Sequence, residues 1–387
     1  MRTVSKTVIG VDFGTQSARA VLVNAENGEI IYSCRKEYPY NSTPVPAIDC
    51  AENLPCATDY EMTLYELLRN VIPEEYRKTV AGICVDATSL TMVLLAEDGR
   101  ALSELDGWSE AAHARVKLWK YHRAQEKADE ALNLASNLQE PFLGRTGGSI
   151  SCEWMLPKLL EVRDEAPEIY SKIDLAMDLC EFLTFRLTGQ LVRSIGSLSY
   201  KCLWAEDLNF PERTFLNGLR AGFYEEYCHF LRGDVRKPGE CAGMLRSELT
   251  KRWGLPEQIP VATGMLDGHT SLATMGAFEP GDAALIVGTS NVCTVQDRKL
   301  QELKDVCGVA QDGMVTGSCG IDTGQSSTGN MLGWFVEHMA GWQIHREAEE
   351  RKISPHQVLA ERIQKPWENK VIAVDWWSGS RNAPCDL

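Results

Sequence analysis

No apolar run in this sequence reaches the roughly 20 residues that a membrane-spanning helix needs. The N-terminal residues lead straight into a strand pattern with no charged-then-apolar leader. A cytoplasmic protein that does not enter membranes is therefore expected. Basic excess is lacking too: the formal net charge is −15 over 387 residues. That disfavours a nucleic-acid partner, whose footprint is basic, and disfavours anionic membrane surfaces. There is no C-x-x-C pair and no cluster with metal-ligand spacing among the 13 cysteines. Their odd number and scatter point to a reducing compartment, with Cys84, Cys180 and Cys202 as small core residues. Also missing are G-x-x-x-x-G-K-[ST] and G-x-G-x-x-G, which disfavours P-loop kinases, protein kinases and Rossmann dehydrogenases.

What is present is ordinary for a globular α/β protein, with 44% apolar and 24% charged residues. The length suits two domains without disulfides. Residues 7–13, 18–24 and 29–35 read as three consecutive strands, the last two joined by Asn27-Gly28. A helical spacing over 61–72 ends at Pro73. Strands follow at 80–86 and 91–96. From 108 to 256 the pattern is mainly helical, with candidates at 119–138, 153–162, 175–187 and 213–231. Strands return at 259–264, 283–287 and 292–295, then helices at 327–340 and 355–364 and a strand at 371–374. The expected division is an N-terminal sheet domain with helical insertions over 1–256 and a second domain over 257–387.

A strand followed by a Gly/Thr/Ser turn and a second strand occurs twice. The first turn is Asp12-Phe13-Gly14-Thr15-Gln16-Ser17, and the second is Gly288-Thr289-Ser290. Glycine permits a tight turn, and hydroxyls with exposed amides can hold phosphate oxygens. Asp12 can hold Mg²⁺ through water. A polar hairpin turn with a capping Asp would look the same at either place. Two such turns facing each other would clamp a polyphosphate. Asp267, in Gly264-Met-Leu-Asp-Gly-His269, follows a strand and precedes a helix. It could accept a hydroxyl proton, or simply cap the helix. Ser89 beside Asp86, Lys201 in an aromatic run, and Asp322 with Gln325 are candidate sugar contacts. Trp119-Lys-Tyr-His-Arg123 is another. A cation such as Lys201 in apolar surroundings needs a partner or a ligand.

Together these stretches resemble the FGGY carbohydrate kinases, and within them the bacterial ribulokinases. The resemblance rests on Gly10–Ser17, Trp119–Ala124, Gly148–Pro157, Leu179–Gly189, Tyr200–Trp204, Gly264–His269, Gly288–Ser290, Cys307–Ser326 and Asp375-Trp-Trp. It implies an actin-like ATPase (ribonuclease H-like) fold, with two domains around a cleft. It implies ATP-dependent, Mg²⁺-assisted phosphorylation of ribulose to ribulose 5-phosphate, as in pentose (arabinose) catabolism. Asp267 matches the family's base, and Asp12 matches its metal-associated acid, with Asp267 also at the metal. Gly14, Thr15, Gln16, Gly288, Thr289 and Ser290 match its phosphate loops. Ser89, Lys201, Asp322 and Gln325 match sugar-side positions. Ribulokinases usually carry Glu where Asp322 stands, so the acid here reaches about one methylene less far. Family members continue past the Asp-Trp-Trp strand with the segment that completes the second domain and holds adenosine. That domain is therefore expected to be incomplete here and kinase activity weak or absent. A kinase for another pentulose or polyol is one alternative; a sugar-binding protein without catalysis is another. The sequence does not fix the oligomeric state and is compatible with a homodimer.

Overall fold

The computed structural model describes residues 6–38, 54–288, 290–363 and 377. The chain opens with β1 (Thr7–Phe13), β2 (Ser17–Asn24), β3 (Ile30–Glu37), α1 (Ala57–Asn70), β4 (Val80–Ala87) and β5 (Met92–Leu95). A largely helical region follows: α2 (Gln125–Leu138), α3 (Met155–Glu165), α4 (Pro167–Tyr170), β6 (Leu175–Asp178), α5 (Leu179–Thr188), β7 (Val192–Ser194), α6 (Ile195–Lys201), α7 (Arg213–Leu219) and α8 (Phe223–Phe230). Next come β8 (Asp234–Arg236), β9 (Cys241–Met244), α9 (Ser247–Trp253), β10 (Pro260–Ala262), β11 (Met265–Leu266) and α10 (Asp267–Met275). The last part holds β12 (Ala283–Val287), β13 (Asn291–Asp297), β14 (Gly308–Gln311), β15 (Cys319–Gln325), α11 (Gly329–His338), α12 (Trp342–Arg351) and α13 (Pro355–Arg362).

Two sheets organise the molecule. The first runs β3-β2-β1-β4-β10-β9, with β11 also paired to β4. β1, β2 and β3 are antiparallel neighbours, as their sequence predicts. The β2–β3 turn is closed by Asn side chains: Asn24 Oδ1 accepts from the Glu26 amide, and Asn27 Oδ1 from that of Glu29. Gly28 takes φ +75° there. α1 then crosses over so that β4 joins β1 in parallel. Its Leu64, Leu67 and Leu68 share one helical face and are buried in the core beneath the sheet. A second core, rich in Leu, Met and aromatic side chains, joins α2, α3, α7 and α8 beside the sheet domain. The second sheet is antiparallel, β12-β13-β15-β14.

Several expectations shift. The 259–264 strand, grouped with the second domain in the sequence, pairs in the first sheet as β10, and β11 follows it there. The chain thus passes from the first sheet to the second through α10, beyond the division read at residue 256. Leu175–Asp178 is a strand paired with β5, not the first turn of a helix. Its four buried residues fit either structure, and the Asp178 cap decides where α5 begins. The 213–231 helix breaks at Gly222, which has φ +77°. The 119–138 helix begins only at Gln125. The helices at 327–340 and 355–364 appear as α11 and α13. The 371–374 strand lies outside the described residues, as do Asp375 and Trp376. All cysteines among the described residues are free, with Cys180 and Cys202 buried and Cys84 partly so.

Gly264 lies between β10 and β11, where α5 comes close. A Cβ there would stand 2.6 Å from the Cys180 carbonyl oxygen. Gly264→Ala must therefore displace α5, and a loss of about 1–3 kcal/mol is expected in urea unfolding. An unchanged midpoint would show that α5 does not press on this bend.

Candidate active site in the cleft

Three adjacent parallel strands end side by side. In the register of β1 and β4, Asp12 stands opposite Asp86. β11 pairs Met265 with Asp86 and Leu266 with Ala87, so Asp267 follows at the same end. Three carboxylates are thus delivered to the carboxyl ends of one sheet, where open α/β sheets bind ligands. They line a cavity of about 630 Å³, a size typical of small-molecule sites. Its opposite wall is the second sheet, through Ile286, Gly288, Ser290, Val292 and Asp322–Gly324. Ser89, Trp119, Glu153 and Lys201 close one flank.

Burial dominates the electrostatics. It pushes the Asp86 carboxyl up to about 8, reinforced by the charges of Asp12 and Asp267 and opposed by a hydrogen bond with Thr270. Burial likewise raises Asp267 to about 6. The Gly268 amide, 2.7 Å from Oδ1, and the Lys201 charge pull it down, while Asp12 and Asp322 push it up. Across the cleft, Asp322 on β15 lies 3.7 Å from Lys201 Nζ and 3.8 Å from His269 Nε2.

Gly14, Thr15, Gly288 and Ser290 line the one cavity, so the two turns read from the sequence do face each other. Thr289 lies outside the described residues. Gln16 and Gln325 flank the cavity in sequence without lining it; Gln325 ends β15 opposite Asn291. Ser89, Lys201, Asp267 and Asp322 line the same cavity. Asp267 is the first residue of α10, with Leu266 as its cap. No role for His269 is legible in the sequence, yet it is 4% exposed and lines the cavity. None is legible for Glu153 either, which meets His122 Nε2 at 3.2 Å. Only its place inside Gly148–Pro157 could have marked Glu153. Trp119 does more than offer a ring, since its Nε1 donates to Thr15 Oγ1 at 3.1 Å.

Among the described residues, three polar atoms around this cavity are buried without a hydrogen-bond partner: Asp86 Oδ1, Ser89 Oγ and His269 Nδ1. Each orphan costs about 1–3 kcal/mol, and a polyhydroxylated ligand would satisfy them. Among the described residues no group of three His, Cys, Asp or Glu side chains forms a ready metal cage. Two hard carboxylates, Asp12 and Asp267, still suit Mg²⁺. That ion commonly binds through one or two carboxylates while keeping water and substrate phosphate as its other ligands.

Two facing turns and three strand-end carboxylates thus share one cleft between two sheets. The model of the FGGY family of carbohydrate kinases, N-terminal domain, matches residues 7–274. The chain is 32% identical over 392 residues to a ribulokinase of Halalkalibacterium halodurans, covering 99% of this chain and 70% of that protein. It is 35% identical to a ribulokinase of Mycolicibacterium smegmatis, covering 98% and 69%. Among solved structures, a xylulose kinase from Rhodospirillum rubrum superposes with TM-score 0.74 at 20% identity, over 97% of this chain and 71% of that one. A gluconate kinase from Lactobacillus acidophilus gives TM-score 0.74 at 18% identity, over 98% and 70%. The chain therefore belongs to the FGGY carbohydrate kinases, enzymes that transfer phosphate from ATP to a sugar alcohol group. It spans about 70% of the length of these relatives. Among the described residues no helix is long and apolar enough to cross a membrane.

The raised Asp86 value has a stability consequence. Its folded pKa, about 8, exceeds the unfolded value near 4, so the folded state holds the proton longer. Stability from this group is complete below about pH 4 and is lost as pH rises to about 8. Asp86→Asn should therefore gain on the native chain across that window, by at least about 1 kcal/mol at pH 8. Urea unfolding at pH 5 and pH 8 reads the difference; a flat difference would show that Asp86 is not held neutral.

Proposed function

We propose that the chain phosphorylates ribulose to ribulose 5-phosphate, with Asp267 as the base. The observation that carries this reading is one cavity holding two facing turns, a buried Asp267 and unsatisfied polar atoms on its sugar flank. The relatives named ribulokinase supply the choice of ribulose. In this reading the sugar lies against Trp119, within reach of Ser89, Lys201 and Asp322. Gly14, Thr15, Gln16, Gly288 and Ser290 embrace the ATP phosphates, the resemblance adding Thr289, and Gln325 supports the sugar side of β15. Asp12 and Asp267 would hold Mg²⁺, which neutralises charge on the phosphates when bound. As the sugar oxygen bonds to the terminal phosphorus, the bond from phosphorus to the bridging oxygen of ATP breaks. The hydroxyl proton passes to Asp267 and ADP leaves. Phosphoryl transfer demands mainly alignment and charge neutralisation, so pre-placed carboxylates and turns are the appropriate equipment. Division into a sugar lobe and a nucleotide lobe, joined through α10, belongs to the same proposal.

Phosphorylation of L- and D-ribulose, followed by ADP release, tests this on protein of confirmed 43.1 kDa mass. Any turnover is expected to be weak, and Asp267→Asn should lower its kcat by a further factor of about 10²–10⁴, as loss of a general base does. Turnover unaffected by that substitution would exclude Asp267 as base. Ribulose binding without turnover would favour a sugar-binding protein, and preference for another pentulose or a polyol would move the substrate.

A further inference from the structure

Behind the sugar-side wall lies a buried polar network that contributes no atom to the cavity. Lys158 on α3 is fully buried, and among the described residues it has no carboxylate at ion-pair distance. Its ammonium donates to two backbone carbonyls, Leu90 and Leu118, each at 2.9 Å. Leu90 follows Ser89, and Leu118 precedes Trp119. One side chain therefore ties together two of the loops that shape the sugar flank. Leu90 has φ +46°, a left-handed conformation that a bulky side chain adopts only when its surroundings impose it.

The imposing group on the other side of Leu90 is Asp178. Its carboxylate accepts the amides of Leu90 at 3.1 Å and Thr91 at 3.2 Å. The same carboxylate accepts Ser197 Oγ at 2.8 Å. Ser197 stands four residues before Lys201 on α6, so the two side chains share a helical face. Asp178 also opens α5 in a capping box with Glu181. Glu181 in turn accepts the Ser194 amide at the start of α6, at 2.9 Å, and pairs with the buried Arg193 at 2.8 Å.

We infer that Lys158 and Asp178 are positioning residues for the sugar site: together they fix the Ser89–Leu90 loop, the Trp119 loop and the Lys201 helix relative to one another. A network that only stabilised the lobe would have no need to converge on the backbone of three separate pocket walls. Both residues touch backbone or Ser197 and leave the reacting atoms to others. This inference rests on the proposed pentulose reading for its functional consequence, though not for its structural one.

The experiment uses the full chain and two variants. Ser197→Ala removes one tie and keeps the buried charges, and Lys158→Met removes the loop bridge. Peptide-level hydrogen exchange reads the loops, and calorimetry reads the Kd of L- and D-ribulose and of ADP with Mg²⁺. Lys158→Met should speed exchange in peptides spanning 88–91 and 117–120, with the rest of the lobe unchanged. It should weaken ribulose at least tenfold and ADP less than twofold. Ser197→Ala should weaken ribulose three- to tenfold, with faster exchange limited to α6 and 88–91. Uniform acceleration across the lobe, or equal losses for both ligands, would overturn the positioning role. If Lys158→Met fails to fold, Ser197→Ala decides by the same criteria. If the native chain binds no ribulose, the pentulose reading fails, and exchange at 88–91 and 117–120 still decides the brace.

Discussion

The seating of Tyr200 holds the two halves of the site in register. Its ring is buried at the end of α6 and faces Gly308, Gly313 and Gly320 of the second sheet and its connecting loop. A Cβ at those glycines would stand 2.7, 2.6 and 2.5 Å from Tyr200 atoms. The phenol donates to the Gly320 carbonyl at 2.7 Å, and the ring meets His269 edge-on at 4.7 Å between centroids. Burying such a ring contributes about 1.5–3 kcal/mol, but position matters more than energy here. Tyr200 precedes Lys201 by one residue, and Gly320 precedes Asp322 by two. Docking Tyr200 therefore brings Lys201 of α6 and Asp322 of β15 to 3.7 Å, on one cavity.

Against that frame the carboxylates are costly by design. Asp12, Asp86 and Asp267 reach one level because three neighbouring strands stop together. Burial and mutual repulsion raise Asp86 and Asp267, which is how a fold prepares a group to take a proton near neutrality. The unsatisfied Asp86, Ser89 and His269 atoms belong to the same pattern. Stability is forgone where a ligand will supply the missing partners.

Much of this was legible in the sequence. The β1–β2–β3 hairpins, the α1 crossover and the two Gly/Thr/Ser turns follow from local pattern, and motif resemblance singled out Asp12, Lys201, Asp267 and Asp322. What was not legible depends on tertiary pairing. Leu175–Asp178 reads equally well as helix until β5 lies beside it. The 259–264 strand carries no mark of which sheet it will join. The roles of Lys158, Glu153 and His269 depend on neighbours more than 30 residues away, as with Leu90 for Lys158 and His122 for Glu153. No periodicity announces such contacts.

The central proposal is that Lys201 of α6 and Asp322 of β15, brought together on one cavity, act on one sugar. A double-mutant cycle measures it most directly: calorimetric Kd of ribulose for the native chain, Lys201→Met, Asp322→Asn and the combined variant. The account predicts losses that are clearly non-additive, with a coupling of at least about 1 kcal/mol, as expected for groups sharing a ligand and each other. Strictly additive losses would contradict it, and would mean that the two side chains serve separate ends.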